Sequence, residues 1–350
     1  MCTVSRAGAE LLTQVTLSMT NHRHLGNERE AIRSLIGRGL AGHTWNAYAG
    51  ETKRFVEFCN ERNLQAFPAA TNTVARYIAH HHERPDRIQA STLEGYLSAI
   101  NTVHRLLELP PPGPDSSLLQ LLRRGYHIST LKDPRRLERA LLPATGVAAA
   151  TRRAIRLASL RLIDGNQLLQ LRDATATALA FTTFLRGSSL ATMRRRDVEI
   201  AANVVVITIT FVKRRQTELH RLRLPRSCPA ADLLLCYMGH TKYRPPDSFL
   251  FHLAHEQVTA FNNGSSKPIL EMVRRAMNDV GTHPAPGFFY GSHSPRLGGS
   301  SHAFAIGIPL LRIRDQGLWT DINTVANYIN TTIPPCTHAR WLLGWMASPV

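Results

Sequence analysis

Apolar residues recur at helical spacing through the first third of the chain. Thr44 is a plausible cap, and Trp45, Tyr48, Phe55 and Phe58 then fall on one stripe running to Cys59. Val74, Tyr77 and Ile78 open a second helix that ends near His80-His81-His82, read as a solvated helix end. After Ser91-Thr92, the residues Leu93, Tyr96, Leu97, Ile100, Val103 and Leu107 share a third face, which Pro110-Pro111-Pro112-Gly113-Pro114 terminates. Leu118, Leu119, Leu121 and Leu122 mark a short fourth helix. Further on, an Ala- and Leu-rich helix spans Arg172 to Arg186. The pattern then changes to a period of two, with Val204 to Phe211, a basic turn, and Leu219 to Leu224 in alternation: a β-hairpin carrying Lys213, Arg214 and Arg215 at its tip. From Ala230 onward the chain reads as helices broken by Pro and Gly. The expected fold is mainly α with a small β-hairpin. Its divisions are a tail or lead-in helix over 1–40, a helical domain over 41–128, a basic linker over 129–150 and a second, α+β domain over 151–350.

Charge narrows the choice of partner. The 350 residues carry 42 Lys+Arg against 25 Asp+Glu, a formal net charge of +17. A folded protein this basic favours a polyanion, and nucleic acid is the commonest; an anionic membrane surface and a basic protein without such a partner are the alternatives. The five cysteines (Cys2, Cys59, Cys228, Cys236, Cys336) show no metal-ligand spacing, and their odd number disfavours a disulfide framework. No apolar run reaches bilayer length, and Arg6 and Glu10 interrupt the stretch a signal peptide would need. An intracellular protein, DNA-associated in cytoplasm, nucleoid or nucleus, is expected. The histidine run, and His252 with His255, lack a completing carboxylate or thiolate, so no metal is expected. No Gly-rich phosphate loop appears, and no cofactor is expected.

Four short segments carry the chemistry: Phe184-Leu185-Arg186-Gly187-Ser188-Ser189-Leu190, His293-Ser294-Pro295-Arg296-Leu297-Gly298-Gly299, Gly317-Leu318-Trp319, and Asn327-Tyr328-Ile329. In this order, with a hairpin Lys213 between the first two, they resemble the tyrosine recombinase (phage integrase) family. Arg172-Asp173 through Asp197-Val198, Thr44 to Glu51, and Ser91 to Gly113 extend the likeness over most of the chain. The resemblance implies a helical core-binding domain and a catalytic domain forming a C-shaped clamp on DNA, with Arg186, Lys213, His293, Arg296, Trp319 and Tyr328 as the catalytic set.

Each residue type suits its implied role. Attack on a phosphodiester adds negative charge at the non-bridging oxygens, and two arginines can each give bidentate, charged hydrogen bonds there. A phenol has a pKa near 10, so about 0.1% is ionised at pH 7 and a nucleophilic Tyr328 needs a base, the role implied for His293. The departing 5′-oxygen needs an acid, for which Lys213 is the candidate, although Arg214 and Arg215 adjoin it. Trp319, where the family commonly has His, would donate an indole N–H to a phosphate oxygen. Arg54, Arg135, Arg136, Arg214 and Arg215 are expected phosphate contacts. Two departures stand out: Ser189 replaces a common acidic residue, and Pro295 lies within His-x-x-Arg. The implied activity is cleavage and rejoining of double-stranded DNA at specific recombination sites through a covalent 3′-phosphotyrosyl intermediate. Strand exchange would pass through a Holliday junction, in a homotetramer held by the C-terminal segment with Trp341, Leu342 and Trp345. Two alternatives stay open: a type IB topoisomerase-like or telomere-resolving activity, and a catalytically silent, domesticated DNA-binding protein.

Overall fold

The computed structural model describes residues 42–330 except 114, 132, 134–136, 161, 210–218, 254–257 and 263. The chain divides into two compact units, meeting at 136/137. Lys213, Arg214, Arg215, Arg135, Arg136, His255 and the C-terminal Trp341, Leu342 and Trp345 lie outside the described residues.

The first unit is helical: α1 Gly42–Asn60, α2 Thr71–Glu83, α3 Ala90–Leu106 and α4 Ser117–Leu131. The fourth helix is longer than the leucine cluster suggested, because Tyr126 and Thr130 continue its buried face. Phe55, Phe58, Tyr77, Leu93, Leu97 and Ile100 form the core, with Phe55 and Phe58 edge-on to the Tyr77 ring. Trp45 and Val103 pack beside it.

Two histidines are part of that core. His104 accepts from the Ala69 N–H at Nε2 (2.9 Å), so Nδ1 is left to donate to the Ile100 carbonyl (2.8 Å), which defines a neutral ring. Burial holds its pKa below the usual range. His81 was expected to be solvated but is buried, edge-on to Tyr77 and near Tyr96, because α2 turns it inward one turn after Tyr77. Burial foremost, and then the neighbouring His80 and Arg84, lower its pKa to about 4. Both rings must gain a proton more readily in the unfolded chain. Their stabilising contribution is therefore complete above the ordinary value near 6.5 and falls as pH drops toward 4. For His81 alone the full loss is about 3 kcal/mol at most. Amide exchange in α2 and α3, corrected for intrinsic rates, is expected to show lower protection at pH 4.5 than at pH 7; equal protection would refute this.

The second unit begins before the expected position. Residues 129–150 are not a continuous linker: α4 runs to Leu131, β1 (Glu138–Arg139) forms a short parallel pair with β5 (Phe288–Phe289), and α5 (Ala144–Ala158) follows. The basic residues concealed the strand because its pairing partner is remote in sequence. Helix α6 (Gly165–Thr183) starts and stops earlier than read from the pattern. Asp164 and Gln167 form a reciprocal capping box at its start, and Phe184 ends it in the left-handed region (φ 54°). After the short α7 (Gly187–Thr192), β2 (Val198–Ile200), β3 (Val204–Ile209) and β4 (His220–Pro225) build an antiparallel sheet in the order β2-β3-β4. The expected hairpin is thus the β3–β4 part of a three-stranded sheet. Val205, Ile207 and Ile209 point inward, opposite Leu222 and Leu224 of β4, as the period of two requires. Helices α8 (Pro229–His240), α9 (Thr259–Asn262) and α10 (Lys267–Asn278) complete the core. An ion network around the buried Asp173 ties α6 to α10: Asp173 bridges the buried Arg172 (2.8 Å) and the half-exposed Arg275 (2.6 Å). The last elements, α11 (Ser294–Ala305), α12 (Leu310–Gln316) and α13 (Ile322–Asn330), form a satellite cluster around Trp319, Ile313 and Val325.

Candidate active site

The turn after α6 builds one side of the site. With Phe184 left-handed, its carbonyl accepts a 2.8 Å hydrogen bond from Arg296 Nη1, and two residues on Arg186 occupies the N-cap position of α7. The same turn therefore brings both arginines into one electrostatic neighbourhood. Among the described residues no carboxylate pairs with either guanidinium, and Ser189, buried on α7, supplies no charge there.

Helix α11 builds the other side. His293 is its N-cap, and Pro295 falls in the first turn, where no intrahelical acceptor is sought by its missing N–H. That removes the difficulty of a proline between His293 and Arg296. Gly298 and Gly299 let α11 approach other backbone: a Cβ on Gly298 would lie 2.0 Å from the Leu142 carbonyl oxygen, and one on Gly299 2.0 Å from that of Phe181. Only glycine fits at both positions.

Arg296 is consequently 2% exposed. Its guanidinium carbon sits 3.6 Å from the Trp319 ring centroid, a cation–π contact, and its Nη2 is buried without a hydrogen-bond partner among the described residues. Burial, and then the Arg186 charge, lower its pKa to about 9, while Tyr328 acts in the opposite direction; it remains cationic at neutral pH. Trp319 is held over Arg296 by a tight turn. Leu318 is left-handed (φ 54°), Trp319 N–H donates to the Arg314 carbonyl (3.0 Å), and the indole lies where a Cβ on Gly317 would be.

Tyr328, on α13, closes the site. Its hydroxyl lies 2.7 Å from His293 Nδ1, and its ring stands edge-on to Trp319 with centroids 5.7 Å apart. With Nδ1 as acceptor, the phenol donates to it, the geometry of a nucleophile and its base. Five expected residues, Arg186, His293, Arg296, Trp319 and Tyr328, are thus connected by contacts or charge. Lys213 falls outside the described residues. Arg54, on the first unit, is exposed and pairs with Glu51 (2.7 Å) beside the Tyr96 hydroxyl (3.3 Å). Both Phe184 and Gly317 stand within recognised motifs, but their roles are not visible there, since one acts through its backbone carbonyl and the other by lacking a side chain. Among the described residues no group of His, Cys, Asp and Glu could hold a metal ion, and no helix is long and apolar enough to cross a membrane.

A phenol on a base, with two guanidiniums nearby that have no carboxylate partner among the described residues, defines a candidate nucleophilic centre for an anionic substrate. Comparison with known proteins extends this. Residues 33–109 match the model of the phage integrase N-terminal SAM-like domain. The chain is 22% identical over 314 residues to the Cre recombinase of Escherichia phage P1, covering 83% of this chain and 85% of that protein. Its fold is similar to that of the XerH site-specific recombinase in a post-cleavage complex with a palindromic difH substrate (TM-score 0.60, 12% identity, 95% of this chain and 94% of that one). It is also similar to the Tn1549 transposon integrase in complex with circular intermediate DNA (TM-score 0.52, 12% identity, 95% and 98%). In its SAM-like domain, its Cre relative and its fold, the chain is similar to the tyrosine recombinases, or phage integrases.

Proposed function

We propose that this protein breaks and rejoins double-stranded DNA at specific sites, with Tyr328 as nucleophile. His293 takes the phenol proton as the Tyr328 oxygen attacks phosphorus. The bond from phosphorus to the 5′-oxygen breaks, leaving a 3′-phosphotyrosyl link and a free 5′-hydroxyl. Lys213 is the proposed acid that protonates the leaving oxygen. Arg186 and Arg296 share the charge on the non-bridging oxygens, and Trp319 packs against Arg296. The reverse attack by a 5′-hydroxyl from another strand restores the backbone in exchanged form, through a Holliday junction. One phosphoester replaces another at each step, so no nucleotide hydrolysis is needed. Both units contact the duplex in this reading, with Arg54, Arg135, Arg136, Arg214 and Arg215 on phosphates. The active form is a homotetramer whose C-terminal segments dock on neighbouring protomers, DNA-associated inside the cell.

The observation that carries the reading is the 2.7 Å contact of the Tyr328 hydroxyl with His293 next to a buried arginine whose Nη2 has no protein partner among the described residues. A neutral pair would leave that donor at a cost, whereas a phosphate oxygen satisfies it. A duplex nicked near the cleavage point loses the leaving strand and traps the intermediate. Wild-type protein is expected to form a covalent adduct on it, while Tyr328→Phe forms none yet binds the duplex within several-fold. An adduct with Tyr328→Phe would show that another residue is the nucleophile. No adduct with wild-type protein would favour a silent DNA-binding role.

A further inference from the structure

The short β1–β5 pair does more than join elements. Glu138 N–H donates to the Gly287 carbonyl and Ala140 N–H to that of Phe289, both at 2.9 Å, so the backbone is pinned on either side of Arg139. Ser294 at the start of α11 locks the same strand: its hydroxyl donates to the Ala140 carbonyl (2.5 Å) and accepts from Gly291 N–H (2.9 Å), while Leu142 N–H donates to the Ser294 carbonyl (3.0 Å). The Arg139 side chain then crosses Gly291, with Nε only 2.9 Å from where a Cβ on that glycine would stand. Arg139 is exposed, and among the described residues it makes no ion pair or side-chain hydrogen bond. Gly291 precedes His293 by two residues, a span of at most about 7.6 Å between Cα atoms.

A cation held by a rigid strand at the rim of the site, unopposed by a carboxylate among the described residues, is placed to hold an anion rather than to stabilise the fold. We propose that Arg139 binds a DNA backbone phosphate within one or two nucleotides of the one that Tyr328 attacks, and so sets the register of the strand in the site. This rests on the DNA-cleaving reading above. It also explains the glycine at 291: a side chain there would displace the guanidinium.

The test compares wild type with Arg139→Ala and Arg139→Lys, using the nicked duplex over a range of salt concentrations. One lost phosphate contact predicts that Arg139→Ala lowers the slope of log affinity against log salt by about 0.9 and weakens binding by about tenfold at low salt. Arg139→Lys keeps the slope, since the charge remains. Replacing single phosphates beside the cleavage point with neutral methylphosphonates then identifies the contact: one position weakens wild type but leaves Arg139→Ala unaffected. An unchanged salt slope in Arg139→Ala, or a methylphosphonate profile identical to wild type, overturns the proposal. Equal loss in both variants with a lowered melting temperature also overturns it, as a purely structural role. In each of these cases wild type still forms the adduct; if it does not, the cleavage reading itself fails instead.

Discussion

Arg296→Met is expected to raise the melting temperature of the free protein by about 2–4 °C while slowing single-turnover cleavage by about 10³-fold or more. The two effects have one cause. In the absence of DNA, the Arg296 cation is buried beneath Trp319 with one unsatisfied nitrogen and the Arg186 charge nearby, and its pKa falls to about 9 as a result. Cation–π contact and the Phe184 hydrogen bond offset part of that penalty, leaving about 1–2 kcal/mol for an apolar side chain of similar length to recover. During attack the same guanidinium meets growing charge on phosphate, where losing a single positioned donor costs about 10²–10³ in rate and a charged one more. Calorimetry and quenched cleavage on the same samples separate the terms. A variant both less stable and equally fast would mean that Arg296 serves the fold and not the reaction. Arg296→Lys keeps the charge but cannot serve the Phe184 carbonyl and a phosphate oxygen together, so it is expected to restore little activity.

Gly298→Ala is expected to cost about 3 kcal/mol or more and to leave the protein without measurable cleavage. Its Cβ would fall 2.0 Å from the Leu142 carbonyl oxygen, and that neighbour is backbone that cannot rotate aside. Helix α11 must then withdraw from the segment leading into α5, carrying His293 and Arg296 with it. Overpacking by one methyl ordinarily costs about 1–3 kcal/mol, and a backbone neighbour places this case at the upper end. Gly95→Ala, at an exposed position inside a helix with open space around it, is the control and should be as stable as wild type or slightly more so, with cleavage unchanged. Urea unfolding with a wild-type midpoint for Gly298→Ala would show that the close approach is not needed.

The two predictions rest on features of unequal visibility in the sequence. The helical stripes of the first unit and the alternation of β3 and β4 follow from burial on one face, so their periods survive in the residues. The set Arg186, His293, Arg296, Trp319 and Tyr328 is recognisable because its residue types are chemically constrained. What stayed hidden is set by contacts remote along the chain. Glu138–Arg139 forms a strand only because Phe288–Phe289 is there to pair with it, and two residues have no period to detect. Val198–Ile200 is too short for alternation to register. The inward turn of His81 depends on where Tyr77 and Tyr96 lie, not on the histidine run itself. The left-handed Phe184 has no glycine to announce it, yet it orients the carbonyl on which Arg296 hangs.

The chemistry finally reduces to which atom of the protein becomes bonded to which end of the DNA. Wild-type adduct on a nicked, labelled duplex can be digested with trypsin and the nucleotide-bearing peptide sequenced by mass spectrometry. Cleavage after Arg314 and Arg340 yields a peptide over 315–340 whose sole tyrosine is Tyr328. The nucleotide is expected on that tyrosine, joined through the 3′-phosphate of the cut strand. A modification elsewhere, or a link to a 5′-phosphate, would contradict the assignment of Tyr328 and of the polarity of the reaction.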